Sequence, residues 1–307
     1  MAAIPGPIYS DAHIPRDSMV AGARALMRTI RPQWSSADVT VKVFTDGTSN
    51  QLVGCCNQQC PEAGMVLVRV YGPNTELLID RDAELVVMTL LHAAGCGPAL
   101  LAKFTNGVAY DFVPGHCPTL EEIRTEKYGS LTARAMAKIH LIKPAEFLPP
   151  TLTINQEPDL FQNLHKCLDL LPENFDDQGK NQKLQELKKA YDFADEVELL
   201  EKELLPLQSP VVLCHNDAAA NNIIYKPGED EICFIDYEYS SFNYSAYDIA
   251  NHFCEYCGCL LQASHLYWGM WALIQAKHSI IEYDFIGYAE ERFGEYFKRK
   301  GEFLKLQ

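Results

Sequence analysis

Apolar and polar positions along the chain divide it into a strand-rich first third and a helical remainder. Val20, Ala23, Met27 and Ile30 recur at helical spacing, predicting a helix capped by Asp17 and running to about Ile30. Val39, Val41 and Val43 alternate with polar residues, the period of a strand; a polar turn over 46–50 leads to a second strand over 51–55. A third strand is expected over 65–71 and a helix over 80–94, stopped by Gly95. Two more strands, 99–104 and 108–113, flank an Asn106-Gly107 hairpin turn. Beyond Pro114-Gly115 the period becomes helical. A helix over 131–142 is broken by Pro144, and one long helix is expected over 183–205, with Leu184, Leu187, Tyr191 and Ala194 on one face. The stretch 149–179 is polar and irregular. A strand–loop–strand unit occupies 211–236, and helices resume to the end. The pattern is α+β, with neither repeats nor low-complexity tracts.

Composition narrows the function classes. A chain of 307 residues can bury a large core, and 48% apolar with 22% charged residues is ordinary for a globular protein. The formal charge of -15 argues against nucleic-acid binding, which draws its affinity from lysine and arginine on phosphate. An acidic surface keeps a protein soluble and also steers cationic ligands. No apolar run is long enough to span a membrane, and Ala2 rules out myristoylation. With no export signal the eleven cysteines are expected to be reduced thiols of a cytoplasmic protein. Two groups of them, Cys55, Cys56 and Cys60, then Cys254, Cys257 and Cys259, include a C-x-x-C spacing that zinc could use. Small buried hydrophobes are the better reading.

The chemistry concentrates in three short stretches. Val211 to Asp217 (VVLCHND) delivers Asp217 to a loop from an apolar strand, Asn222 follows five residues on, and a short hairpin then delivers Asp236 and Glu238. Phosphoryl transfer needs such a set: a carboxylate to orient a hydroxyl and oxygen ligands for Mg2+. An isolated H-x-D is common, and Asp and Asn favour turns for local reasons. Here the motifs fall in order, each after an apolar strand, which makes chance improbable. His215 reads as a brace for the loop, included with Asp217 among the catalytic candidates.

From Asp236-Tyr237-Glu238 through Asn243, Asp248, Asn251 and Phe253 to Glu255, the chain resembles the signature of choline/ethanolamine kinases. The preceding His-Asn-Asp and Asn222-Ile223-Ile224-Tyr225 resemble the phosphotransferase motif those enzymes share with aminoglycoside kinases. The likeness runs from about Thr40 to Lys300. In the stretches 44–47, 66–72 and 75–81 it is closer to ethanolamine than to choline kinases.

That resemblance implies a bilobal protein-kinase-like fold, with a β-rich N-lobe over 1–112 and a mostly helical C-lobe over 113–307. It implies ATP and Mg2+ as cofactors and ethanolamine as the substrate, phosphorylated on its hydroxyl in the first step of the CDP-ethanolamine route to phosphatidylethanolamine. Asp46, Gly47, Thr48, Ser49 and Asn50 would cover the ATP phosphates. Arg69 would contact phosphate, paired with Glu84, and the hinge 110–113, including Asp111 and Val113, would hold adenine. Asn222, Asp236 and Glu238 would bind the metal. Glu255 would meet the amine, with Trp268, Trp271, Tyr283, Phe285 and Tyr288 as an ammonium cage; at helical spacing, core packing is the rival reading of those rings. Dimers are common in the family, which leaves a homodimer open, although the oligomeric state is not readable from the sequence. A choline kinase, or a catalytically impaired paralogue or shortened form acting by binding, are the alternatives.

Two departures from the family pattern stand out. Ala218-Ala219-Ala220-Asn221 replaces larger residues, including a lysine, before Asn222. Several dozen residues expected between the Glu255 helix and the tryptophan helix are missing, which predicts apolar faces left exposed or repacked.

Overall fold

The structure, a computed structural model, describes residues 6–35, 37–44, 50–58, 64–257 and 262–305, with residues 254–257 described by backbone alone. The N-lobe comprises β1 (Ile8–Ser10), α1 (Met19–Ile30), β2 (Val39–Phe44), β3 (Gln51–Asn57), β4 (Val66–Val70), α2 (Arg81–Ala93), β5 (Leu100–Phe104) and β6 (Gly107–Asp111). Its six strands order as β1-β5-β6-β4-β3-β2, antiparallel except where β1 joins β5. β4 is buried along its whole length. Because side chains alternate across a strand, Val66, Val68 and Val70 pack with α1 while Leu67 and Arg69 face the cleft. Asp80 caps α2 by accepting the N–H groups of Asp82 and Ala83, and Gly95 ends it at φ +70°. Gly107 fits its hairpin because a Cβ there would lie 2.1 Å from the Arg69 carbonyl oxygen.

The first helix differs from expectation. Asp17 lies inside a short 3-10 turn, α1 starts at Met19, and Met19 and Leu26 take the core positions while Val20 faces outward. β1 went unforeseen, since three half-exposed edge residues carry no periodicity.

The C-lobe holds α3 (Leu120–Ile123), α4 (Glu126–His140), α5 (Pro144–Phe147), α6 (Leu160–Leu170), α7 (Gln178–Ala190), α8 (Phe193–Leu204), β7 (Val211–Cys214), β8 (Ile223–Lys226), β9 (Glu231–Phe234), β10 (Ser241–Tyr244), α9 (Ser245–Cys257), α10 (Gln262–His278) and α11 (Phe285–Phe303). β7 pairs with β10 and β8 with β9, each antiparallel. The expected helix over 183–205 is two, split where Asp192 caps α8 through the N–H groups of Ala194 and Asp195. Pro144 opens α5, the position where proline's missing N–H costs nothing. The stretch that read as irregular contains α6, whose Leu160, Phe161, Leu164 and Cys167 enter the core.

Every residue of α10 from Gln262 to Gln275 is buried, so this helix is the axis of the C-lobe core, ringed by α6, α9 and α11. Its faces are covered. On α9, Ile249 and Phe253, one turn apart, are exposed. Among the described residues no helix is long and apolar enough to cross a membrane. A second apolar cluster joins the lobes, with Leu85, Met88 and Leu91 of α2 against Leu213, Ala218, Phe234 and Tyr237. It presses the loop after β7 and the hairpin β8–β9 toward the N-lobe.

Candidate active site

β7 ends in the core and hands the chain to His215-Asn216-Asp217. Asp248, fully buried on α9, accepts the backbone N–H groups of His215 (3.1 Å) and Asn216 (2.8 Å). His140 at the end of α4 lies 2.8 Å from the same carboxylate. Its ring, the Cys214 thiol and Asp248 lie within 4.8 Å of one another, but both Asp248 oxygens already serve the loop. Asn216 sits in the left-handed region at φ 64°, held by its amide on Tyr239 O and Ser241 Oγ and by the Asn243 amide. His215 does not reach the cleft. Its Nε2 meets Ile235 O at 2.9 Å and its Nδ1 accepts the Asp217 N–H, while burial lowers its pKa and keeps it neutral.

The loop and the hairpin bring three oxygen-bearing side chains together. Asn222 donates to the Asp217 carbonyl and carboxylate, both at 2.9 Å, leaving its own amide oxygen for a cation. The Ile235 N–H bonds Asn222 O, which locks the turn to the residue before Asp236. Asp236 adopts φ 63°, a strained setting for a residue with a Cβ. Asp217, Asn222 and Asp236 line one cleft of about 540 Å³. These hard oxygen donors suit Mg2+, and the chemistry of the set fits that ion.

Above them lies a buried ion cluster. Arg69 pairs with Glu84 of α2 and donates to Asp236 at 2.7 Å. Arg81 joins Glu84 (2.9 Å) and Glu238 (3.0 Å) and lies over the Tyr71 ring. The Arg69 and Glu84 side chains are 6% and 0% exposed, so this is not a surface pair of small worth. Burial together with Glu238 pushes the Asp236 carboxyl up to about 7, against the pull of Arg69. Burial alone would raise Glu238 too, but Arg69 and Arg81 draw it below its ordinary value.

Asp46, Gly47, Thr48 and Ser49 lie outside the described residues, as do the side chains of Glu255, Cys254 and Cys257 and all of Cys60 and Cys259. Asn50 is described, and its amide donates to Glu238 at 2.9 Å. Asp111 and Val113 line the cleft; Asp111 pairs with Arg31, and its N–H and that of Phe112 bond Ala99 O and Met65 O.

The far end of the cleft is aromatic. Trp268, Trp271, Tyr283, Phe285 and Tyr288 all line it. They form an edge-to-face chain: Trp268 to Trp271 at 5.4 Å, Trp271 to Phe285 at 5.9 Å, Phe285 to Tyr283 at 4.9 Å and Tyr283 to Tyr288 at 6.2 Å. Tyr239 belongs with them, its hydroxyl accepting from Trp271 Nε1 at 2.9 Å and its ring meeting Trp268 at 5.2 Å. The tryptophans belong to the C-lobe core and also line the cleft.

Sequence reasoning missed Arg81, Tyr239, His140 and, as the loop's anchor, Asp248. Arg81, Tyr239 and Asp248 fall within matched stretches, but nothing in their spacing assigns a task. A charged residue one turn before a site glutamate was the one available hint of Arg81.

Known proteins can now be set beside this geometry. A family model described as choline/ethanolamine kinase matches residues 41–262 and 257–297. Mouse ethanolamine kinase 1 is 37% identical, covering 93% of this chain and 91% of its own. Human ethanolamine kinase 2 is 35% identical, covering 99% and 88%. Among solved structures, a Plasmodium vivax ethanolamine kinase superposes with a TM-score of 0.76 at 25% identity, covering 94% of this chain and 90% of its own. An ADP-bound aminoglycoside phosphotransferase, at 0.55 and 14% identity over 89% and 96%, shares the fold. The two stretches of the family match meet at 257–262, between α9 and α10. The mouse alignment spans 336 positions but uses about 286 residues here, so about 50 positions have no counterpart. The chain carries an internal deletion.

Proposed function

The chain belongs to the choline/ethanolamine kinase family, and from that premise we propose that it transfers the γ-phosphoryl group of Mg·ATP to the hydroxyl of ethanolamine. One observation carries the reading: a single cleft is lined both by Asp217, Asn222 and Asp236 and by six aromatic residues. A substrate with an alcohol two carbons from an ammonium group matches that layout.

Asp217 orients the hydroxyl and takes its proton as the oxygen attacks the γ-phosphorus and the bond to ADP breaks. Asn222 and Asp236 hold the metal. Held by these two side chains, a magnesium ion would supply positive charge to offset that on the transferring group. Arg69, held by Glu84, leaves Asp236 to meet phosphate oxygens. Residues 46–50 cover the phosphates, and Val113, beside Asp111, holds adenine through its backbone. The ring edges and faces of Trp268, Trp271 and Tyr239, with Tyr283, Phe285 and Tyr288, receive the ammonium group, together with Glu255. His215 positions the loop and touches no substrate.

The ethanolamine kinases among the relatives favour this substrate over choline, and the retained oxygen trio favours turnover over a binding-only role. The test is phosphoethanolamine formation by purified protein with Mg·ATP, with choline as competitor. Absence of product, or equal product from Asp217→Ala, removes the proposal.

A further inference from the structure

A second cavity, of about 270 Å³, lies between α2, α6 and the segment 238–243. Glu238 and Tyr239 line it and the active cleft alike, so they stand in the wall between the two. Asp159 opens α6 where an aspartate side chain ordinarily accepts a helix N–H, yet its side chain caps nothing. It lines the cavity instead, and its Oδ1 is buried with no protein donor in reach. The carboxylate draws support from the side chains of Ser241 and Asn163, and burial pushes it up to about 6. The other acids of the cavity are committed or wet: Glu84 and Glu238 are met by Arg69 and Arg81, Asp80 caps α2, and Glu157 is exposed. Lys166 is the one basic group among the described lining residues, and no cation bears on Asp159. The nearby Cys214 thiol and Tyr267 hydroxyl are both pushed up by burial and stay neutral.

We propose that this cavity is a second cation site, which takes a small organic ammonium group between the Asp159 carboxylate and the tyrosine rings around it. A buried carboxylate oxygen without a donor is costly, and an N–H bearing a positive charge meets both the bond and the charge. The carboxyl turns easily about its Cβ–Cγ bond, so a donor in the cavity serves whichever oxygen lacks one. Tyr239, Phe242, Tyr247 and Tyr267 share the wall. One uncommitted carboxylate matches one positive charge, and rings suit an ammonium group better than a hard metal ion, which takes oxygen ligands. Asn216, the residue before Asp217, lines the cavity too, so an occupant borders the stem of the catalytic loop. The site stands apart from the phosphotransfer reading, since none of Asp217, Asn222 and Asp236 lines it.

The experiment is equilibrium dialysis of labelled ethanolamine, the probe cation, against wild type, Asp159→Asn and Tyr283→Lys, the last placing a repelling charge on an exposed ring of the cleft. Wild type should bind two molecules per chain. Each variant should keep one, with the lost site at least about tenfold weaker. Calorimetry near pH 6, in two buffers of different ionisation heat, reads the second signature: filling the cavity should release about half a proton from Asp159, in wild type and Tyr283→Lys but not in Asp159→Asn. A single wild-type site that Tyr283→Lys abolishes, or two sites surviving in Asp159→Asn, would overturn the proposal and leave the cleft reading standing. A single site that Asp159→Asn abolishes and Tyr283→Lys keeps would uphold the cavity and remove the cleft reading. No ethanolamine on wild type would overturn both. If Asp159→Asn does not fold, Tyr283→Lys decides: binding with proton release upholds the site, and its absence overturns it.

Discussion

At one end of the cleft, side chains are held by charge; at the other they are held by ring edges. Arg69 and Arg81 share Glu84, and Asp236 and Glu238 complete the cluster. Remove one member and another is left charged in a buried place, which makes this end sensitive to single changes. At the aromatic end Trp268, Trp271 and Phe285 belong to the C-lobe core as well as to the cleft, and the hydrogen bond from Trp271 Nε1 to the Tyr239 hydroxyl adds direction. Contacts there are many and individually small, so loss is graded.

Four experiments press on that contrast. Asp217→Ala should cut phosphoethanolamine formation about a thousandfold while leaving ATP affinity within about twofold, by turnover assay and calorimetry. An equal loss of both would mean that the charged end binds nucleotide through Asp217. Glu84→Ala should strand two guanidinium groups and cost about 3 kcal/mol of stability, read by urea denaturation. A cost below about 1 kcal/mol would show the cluster rearranging freely.

The third uses the neutral histidine of the aromatic side. Burial, aided by Arg292, lowers His265 from 6.5 to about 4. The fold refuses a proton that the unfolded chain accepts, so its contribution is intact above pH 6.5 and declines as pH falls toward 4. At pH 5 that amounts to about 2 kcal/mol relative to pH 7.5, at about 1.4 kcal/mol per pH unit. His265→Gln should lack this increment in paired denaturation curves. Burial pushes Asp159 up to about 6, which acts in the opposite direction over the same range. The variant comparison isolates the histidine. The smallest effect belongs to Tyr239→Phe, which removes the acceptor for Trp271: KM for ethanolamine should rise about fivefold, near 1 kcal/mol, with KM for ATP unmoved. A shift in the ATP value instead would place Tyr239 at the charged end.

The missing segment falls beside the aromatic end. The family match breaks at 257–262, yet α10 is buried from Gln262 to Gln275, while Ile249 and Phe253 on α9 are exposed.

The charged end was the more legible of the two. Asp217, Asn222 and Asp236 stand at fixed offsets after apolar strands, so local pattern places them in one loop and one hairpin. Arg69 and Glu84 follow from a strand and the helix after it. Arg81 was not legible, because its partners Asn50 and Glu238 lie 31 and 157 residues away. The same holds for Asp248, whose bonds to His215 and Asn216 cross more than 30 residues. In α6 and in the break between α7 and α8, composition misled: polar content hid an amphipathic helix, and Asp192 at a cap looked like one more surface charge.

By itself the sequence determined the strand and helix periods, the hairpin turns and the order in which oxygen-bearing groups reach their loops. Each of these is a local matter, settled by backbone stereochemistry and by which side chains shun water. Tertiary structure decided which oxygen accepts which N–H, how the two neighbouring carboxylates Asp236 and Glu238 share the arginines, and which rings of α10 line the cleft. Those outcomes depend on distances between segments remote in sequence, where burial multiplies the strength of charge and packing leaves one arrangement.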